Sequence, residues 1–198
     1  MLSREGLSAT TTRKIAAEAG VNQAMLGYYF GSKDDLFFAV LETLMDHARH
    51  LMVATLTPQR DMRHMIAQCI TAFWQSFAAA PEVQVMQMEL TLYALRQPES
   101  AWLAKQQYAG YGAVIETLLR DAYTEAQQTC AVRFDALARF IMGGLDGLIL
   151  QFASDRDGPR ASSDLQLFIA AVLALAEGTT PLSPDITPQH EHIPGYPY

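Results

Sequence analysis

The sequence predicts an all-α fold: an N-terminal helix-turn-helix tip on a larger helical body. Apolar residues recur at three- and four-residue steps through most of the 198 positions, the period of helices that bury one face. The runs are separated by proline, glycine or capping side chains, which start and stop helices. Only Val83-Gln84-Val85 opens like a strand, and no partner strand for it is visible anywhere in the chain.

Thr10, Thr11 and Thr12 offer N-cap hydroxyls for a short helix over 13–19, whose inner face carries Ile15, Ala16 and Ala19. Gly20 permits the left-handed backbone of a sharp turn. Val21 is expected in the core, and Asn22 caps a second short helix over 23–29, anchored by Leu26 and Tyr29. The small Ala16 lets the two helices cross closely. Ser32 and Asp35 form a capping box for a helix with apolar positions Phe37, Val40, Leu41, Leu44, Ala48 and Leu51, ended by Thr57-Pro58.

A second stripe, Met62, Ile66, Cys69, Phe73 and Phe77, stops before Pro81. Val85, Met88, Leu92 and Leu95 keep helical spacing over 82–95, so that segment reads as helix. After Pro98 follow a stripe at Tyr111, Ile115, Leu118 and Ala122, then one from Phe134 to Phe152. The turn-rich Ser154-Asp155-Arg156-Asp157-Gly158-Pro159 precedes a last helix over 163–177. That helix is apolar nearly all round and must be covered on every side, in part by another chain. The expected organisation is a tip over 1–48, a body over 49–178 and a loose proline-rich tail over 179–198.

Half the residues are hydrophobic and 18 % are charged, enough to build a real core. Apolar stretches such as 167–176 fall short of the roughly 18 residues of a membrane span. No basic start followed by an apolar block marks a signal peptide, and two cysteines are too few for a disulfide scaffold. These features suit the cytoplasm. A net charge of −7 argues against coating nucleic acid by bulk positive charge. Residues 1–33 nevertheless carry +2, from Arg4, Arg13, Lys14 and Lys33 against Glu5 and Glu18, so the tip is compatible with local DNA contact.

In a helix-turn-helix the second helix enters a DNA major groove. The wording goes further than the generic motif. Thr10-Thr11-Thr12-Arg13-Lys14-Ile15-Ala16-Ala17-Glu18-Ala19-Gly20-Val21, then Tyr29-Phe30-Gly31-Ser32-Lys33-Asp34-Asp35-Leu36, closely resembles the tetracycline-repressor (TetR) family of bacterial regulators. The resemblance implies a homodimer whose recognition helices read half-sites of a near-palindromic operator, and a small molecule in the body that releases the DNA. It also implies DNA-contacting roles for Gln23, Ala24, Gly27 and Tyr28 on the recognition helix, Thr11 and Arg13 before it, and Lys33 after it. Gly27 stands where the family commonly has tyrosine. The family places a full helix before the glycine matched by Gly6, whereas here only five residues precede it. The expectation is a natural start upstream of Met1; the alternative is a helical small-molecule-binding dimer that does not bind DNA in this N-terminally short form.

The body is rich in aromatics and methionines. Trp74, Phe77, Met86, Tyr93, Trp102, Tyr108 and Tyr111, with Gln68 to orient a ligand, are candidates for a pocket taking a largely apolar or aromatic effector. Taken singly, each also reads as ordinary core, and the family resemblance is what favours a pocket. Asp146 and Glu89 are carboxylates among apolar neighbours: Asp146 has Arg139 or an arginine across the dimer as candidate partners, Glu89 a cationic ligand or Arg96, and structural pairing is the preferred reading for both. Gly143, Gly144 and Gly147 leave a flat strip for close helix packing. With the last helix, this makes the segments 133–153 and 163–177 the expected dimer interface, an intermolecular four-helix bundle. His47, His50 and His64 beside Asp46 read as a solvated face in preference to a metal site. No cofactor loop, nucleophile elbow or metalloprotease motif is present, so no catalysis and no cofactor are expected.

Overall fold

The computed structural model describes residues 2–7, 9–55 and 61–180. Its elements are helical throughout: α1 (Leu2–Glu5), α2 (Thr12–Glu18), α3 (Gln23–Phe30), α4 (Lys33–Thr55), α5 (Met62–Ala79), α6 (Pro81–Arg96), α7 (Ala101–Glu125), α8 (Phe134–Asp155) and α9 (Gly158–Glu177), with one 3-10 turn at Pro98–Ser100. The expected helix end at Thr57-Pro58 and the tail from residue 181 lie outside the described residues.

Local chemistry sets most boundaries. The Ser32–Asp35 box forms at the head of α4: the Asp35 N–H donates to Ser32 Oγ at 3.0 Å and the Ser32 N–H to Asp35 Oδ2 at 3.2 Å. Pro81 does not merely end α5; it sits in the first turn of α6, where its missing N–H costs nothing. The same holds for Pro159, and α9 starts at Gly158, five residues earlier than its apolar run suggests. Asp157 caps it by accepting the Arg160 N–H at 3.0 Å.

The main core lies between α5, α7, α8 and α9, around Ile70, Phe73, Leu137, Ile141 and Val172. A smaller cluster of Leu7, Phe37, Leu41 and Leu90 ties the N-terminal segment and α4 to α6. A third, Ala94, Leu103 and Ala104 with Phe38, ties α4 to α7. Burying Phe37 completely contributes about 1.5–3 kcal/mol, so this cluster holds the tip on the body. Among the described helices, α8 is long and apolar enough by length and composition to cross a membrane, although polar residues interrupt its apolar stretch. Here its Leu137, Ala138, Ile141, Leu145 and Ile149 lie in the core.

The strip of glycines on α8 divides into two uses. A Cβ at Gly144 would collide with the Phe168 ring of α9, so this glycine serves close packing within the chain. Gly143 and Gly147 face open space. Phe140 and Leu150 on the same helix and Leu167 on α9 are also exposed, Leu167 by 69 %. The last helix is thus not covered all round within one chain.

Candidate DNA interface and ligand cleft

The tip has helix-turn-helix geometry. Thr11 is the N-cap of α2 and accepts the Lys14 N–H at 3.2 Å. Gly20 turns the chain at φ +67°, and Asn22 caps α3 by accepting the Ala24 N–H at 2.9 Å. Gln23 reaches back from α3 and donates through Nε2 to Thr12 Oγ1 at 3.2 Å, fixing the two helices together. Ala16 is buried where they cross.

The outer surface of this unit is unusually open. No residue of α3 is buried. Tyr28 is 83 % and Tyr29 70 % exposed, with their rings edge-to-face at 5.4 Å. Val21 and Tyr29, expected to anchor the motif inwards, are exposed instead, as is Ala19. Among the described residues, α1 is a single turn that packs against α6, and no longer helix lies over this face.

Arg13, Gln23, Ala24, Gly27 and Tyr28 are exposed on α2 and α3. Gln23, Gly27 and Lys33 line one shallow groove between α2, α3 and the start of α4. Lys33 is only partly exposed, its ammonium 5.0 Å from the Phe37 ring centroid and 5.6 Å from that of Tyr93. Two other tip cations are engaged by carboxylates, Arg4 with Glu18 at 2.5 Å and Lys14 with Glu5 at 3.5 Å. Among the described residues, Arg13 and Lys33 have no carboxylate within ion-pair distance.

Two acidic residues, neither predicted in this role, join tip to body. Asp34 accepts hydrogen bonds from the Tyr93 hydroxyl at 3.1 Å and from the Ser100 hydroxyl. Glu89 accepts the Leu7 N–H at 2.8 Å, so it is used on the N-terminal segment and forms no pair with Arg96. Both partnerships span elements far apart in sequence, which local pattern does not reveal.

In the body, Phe77, Tyr108 and Tyr111 meet at a cleft between α5, α6, α7 and α8 that has about 50 Å³ of free space and opens to solvent. Its polar wall consists of Gln84, Gln87, Thr91 and Gln107. Thr91 donates to Gln107 Oε1 at 2.9 Å, and Gln87 donates to the Tyr111 hydroxyl. Spacing of three and four residues puts Gln84, Gln87 and Thr91 on one face of α6, a signal available in the sequence. Asp146 also lines the cleft, accepting from the Tyr108 hydroxyl at 3.1 Å. Burial holds its carboxyl above the usual range, while burial and then the Asp146 charge push Tyr108 up to about 12. Tyr111 also rises to about 12, mainly through burial.

The other five candidates lie elsewhere. Trp74 packs in the core against Phe152, and Met86 is buried away from the cleft lining. Tyr93 serves the junction, Trp102 packs against Phe38, and Gln68 lines a shallow outer groove on α5. His47 lines a second cleft that shares Phe77, Gln84, Gln87 and Tyr111 with the first.

The sequence pattern of bacterial regulatory proteins of the tetR family matches residues 1–40, the whole helix-turn-helix unit. The tip is a TetR-family helix-turn-helix unit. Relatedness extends beyond the tip. The chain is 27 % identical over 160 residues to the nicotine-responsive transcriptional repressor HdnoR of Paenarthrobacter nicotinovorans, covering 81 % of each protein. It is 26 % identical over 175 residues to the transcriptional regulator BetI of Brucella canis, covering 84 % of this chain and 81 % of that one. In fold, it superposes on a TetR-family regulator from Rhodococcus sp. with a TM-score of 0.74 at 15 % identity, over 88 % of this chain and 92 % of that one. With its TetR-family tip, the chain is accordingly a helix-turn-helix transcriptional regulator.

Proposed function

We propose that the protein is a homodimeric repressor of the bacterial cytoplasm that leaves a palindromic operator when a small molecule enters the α5–α8 cleft. The observation that carries this is the double use of α6. One face supplies Gln84, Gln87 and Thr91 to the cleft, while Leu90, Glu89 and Tyr93 hold the N-terminal segment and α4. A ligand that shifts α6 therefore acts on the tip. Release follows when it favours the conformation whose recognition helices no longer match successive grooves, about 34–36 Å apart. The nicotine-responsive character named for HdnoR supports a small-molecule signal.

Gln23, Ala24, Gly27 and Tyr28 address the groove in this reading, and Thr11, Arg13 and Lys33 address phosphates. The dimer forms through 133–153 and 163–177, which carry the exposed Phe140, Leu150 and Leu167 and the open Gly143 and Gly147. The protein supplies binding and leverage; no catalytic step is assigned to it.

Selection from a randomised duplex pool tests the DNA-binding role. Enrichment of a palindrome, with affinity falling steeply in salt, supports it. The open face of α3 favours a second reading, a ligand-binding dimer without operator affinity, and absence of enrichment would select that one.

A further inference from the structure

We propose that the α5–α8 cleft takes an organic cation, its ammonium head held against the Asp146 carboxylate and beside the rings of Phe77, Tyr108 and Tyr111. This rests on reading the cleft as the effector site. Asp146 lies among Met142, Leu145 and Ile115, and the hydrogen bond it accepts comes from a neutral phenol. Among the described residues, no lysine, arginine or histidine nitrogen lies within ion-pair distance of it, and the expected Arg139 partner is not engaged. The facing wall is built of glutamines and a threonine, also neutral. The cleft therefore carries a negative charge that no cation among the described residues of one chain compensates.

A partly buried carboxylate without a cation is costly, and burial accordingly raises its pKa. A cationic ligand repairs this, and electron-rich ring faces add attraction for an ammonium group. An anionic ligand would be repelled, and a neutral one would strip water from the carboxylate without replacing it. The cleft itself offers only about 50 Å³ of free space, enough for the ammonium head. It shares Phe77, Gln84, Gln87 and Tyr111 with the second cleft, of about 590 Å³, which has room for the rest of the ligand.

The test compares three aryl probes by calorimetry on the full chain without DNA: benzyltrimethylammonium, benzyl alcohol and benzoate. The cation is expected to bind tightest. Asp146→Asn keeps an acceptor for Tyr108 but removes the charge. It is expected to lower cation affinity about tenfold or more while leaving the alcohol unchanged. Tyr108→Phe, which keeps the ring, is expected to retain the preference for the cation.

Equal affinities across the probes, no cation binding, or an unchanged Asp146→Asn protein would overturn the proposal. So would an Asp146→Asn protein that falls apart to monomers with a lower melting temperature, since the carboxylate would then serve the dimer. The two readings fail separately. An operator released by an anionic or neutral compound seated in this cleft would sink the cation proposal alone. Asp146-dependent cation binding with no operator enriched would sink the repressor reading alone.

Discussion

Gly27 lies in the middle of α3 with nothing within 4 Å of where a Cβ would stand. Gly27→Ala is therefore expected to stabilise the helix by about 1 kcal/mol, read as a higher urea midpoint. Asp146 makes the opposite trade. Its carboxyl is raised in the folded state, so the folded protein holds more protons than the unfolded chain between the two pKa values. Stability then falls as pH rises through that window. Asp146→Asn should melt higher than the wild type at neutral pH, with the gain vanishing at acid pH; a melting series against pH checks this. At this scale the sequence is readable where partners are neighbours, as in the Ser32–Asp35 box and the Asn22 cap. It is silent where they are not: Tyr108 reaches Asp146 across 38 positions, and Leu7 reaches Glu89 across 82.

Among the elements, α8 and α6 carry the testable consequences. Gly144→Leu drives a side chain into Phe168 and is expected to cost about 1–3 kcal/mol, seen in chemical denaturation. Gly147→Glu meets only open space within the chain. It should leave helix content unchanged yet shift light-scattering mass from dimer to monomer. From α4 onward, helix order and number were legible because most of the amphipathic stripes are long and bounded. The start of α9 was not, because Gly158-Pro159 resembles a turn until the Asp157 cap shows it to be a first helical turn. The cleft was partly legible. Aromatic content pointed to Phe77, Tyr108 and Tyr111, but richness in aromatics does not separate core from cavity, and Trp74 and Met86 went to packing.

At the scale of the whole molecule, an acidic body carries a weakly cationic tip. Arg13 and Lys33 are the tip cations without a carboxylate partner among the described residues, which gives four per dimer. The logarithm of operator affinity against that of salt should then fall with a slope of about −3.6. Lys33→Ala, losing two of these cations, should weaken binding to all sequences alike and make the slope shallower by about 1.8, whereas Gln23→Ala should change base preference. Lys33 must leave the Phe37 and Tyr93 rings to reach a phosphate, so mutation there also touches the tip–body junction.

The bare outer side of α3 has a kinetic and calorimetric consequence. Eight residues with no buried side chain form a helix too short to persist on propensity alone. Its amide hydrogens should exchange with deuterium far faster than those of α8, in the free protein, at every temperature where the body stays folded. Operator DNA would then complete the reader as it is read. Slowed exchange confined to α3, and a heat-capacity drop exceeding that of rigid docking, would be the signature of folding coupled to recognition.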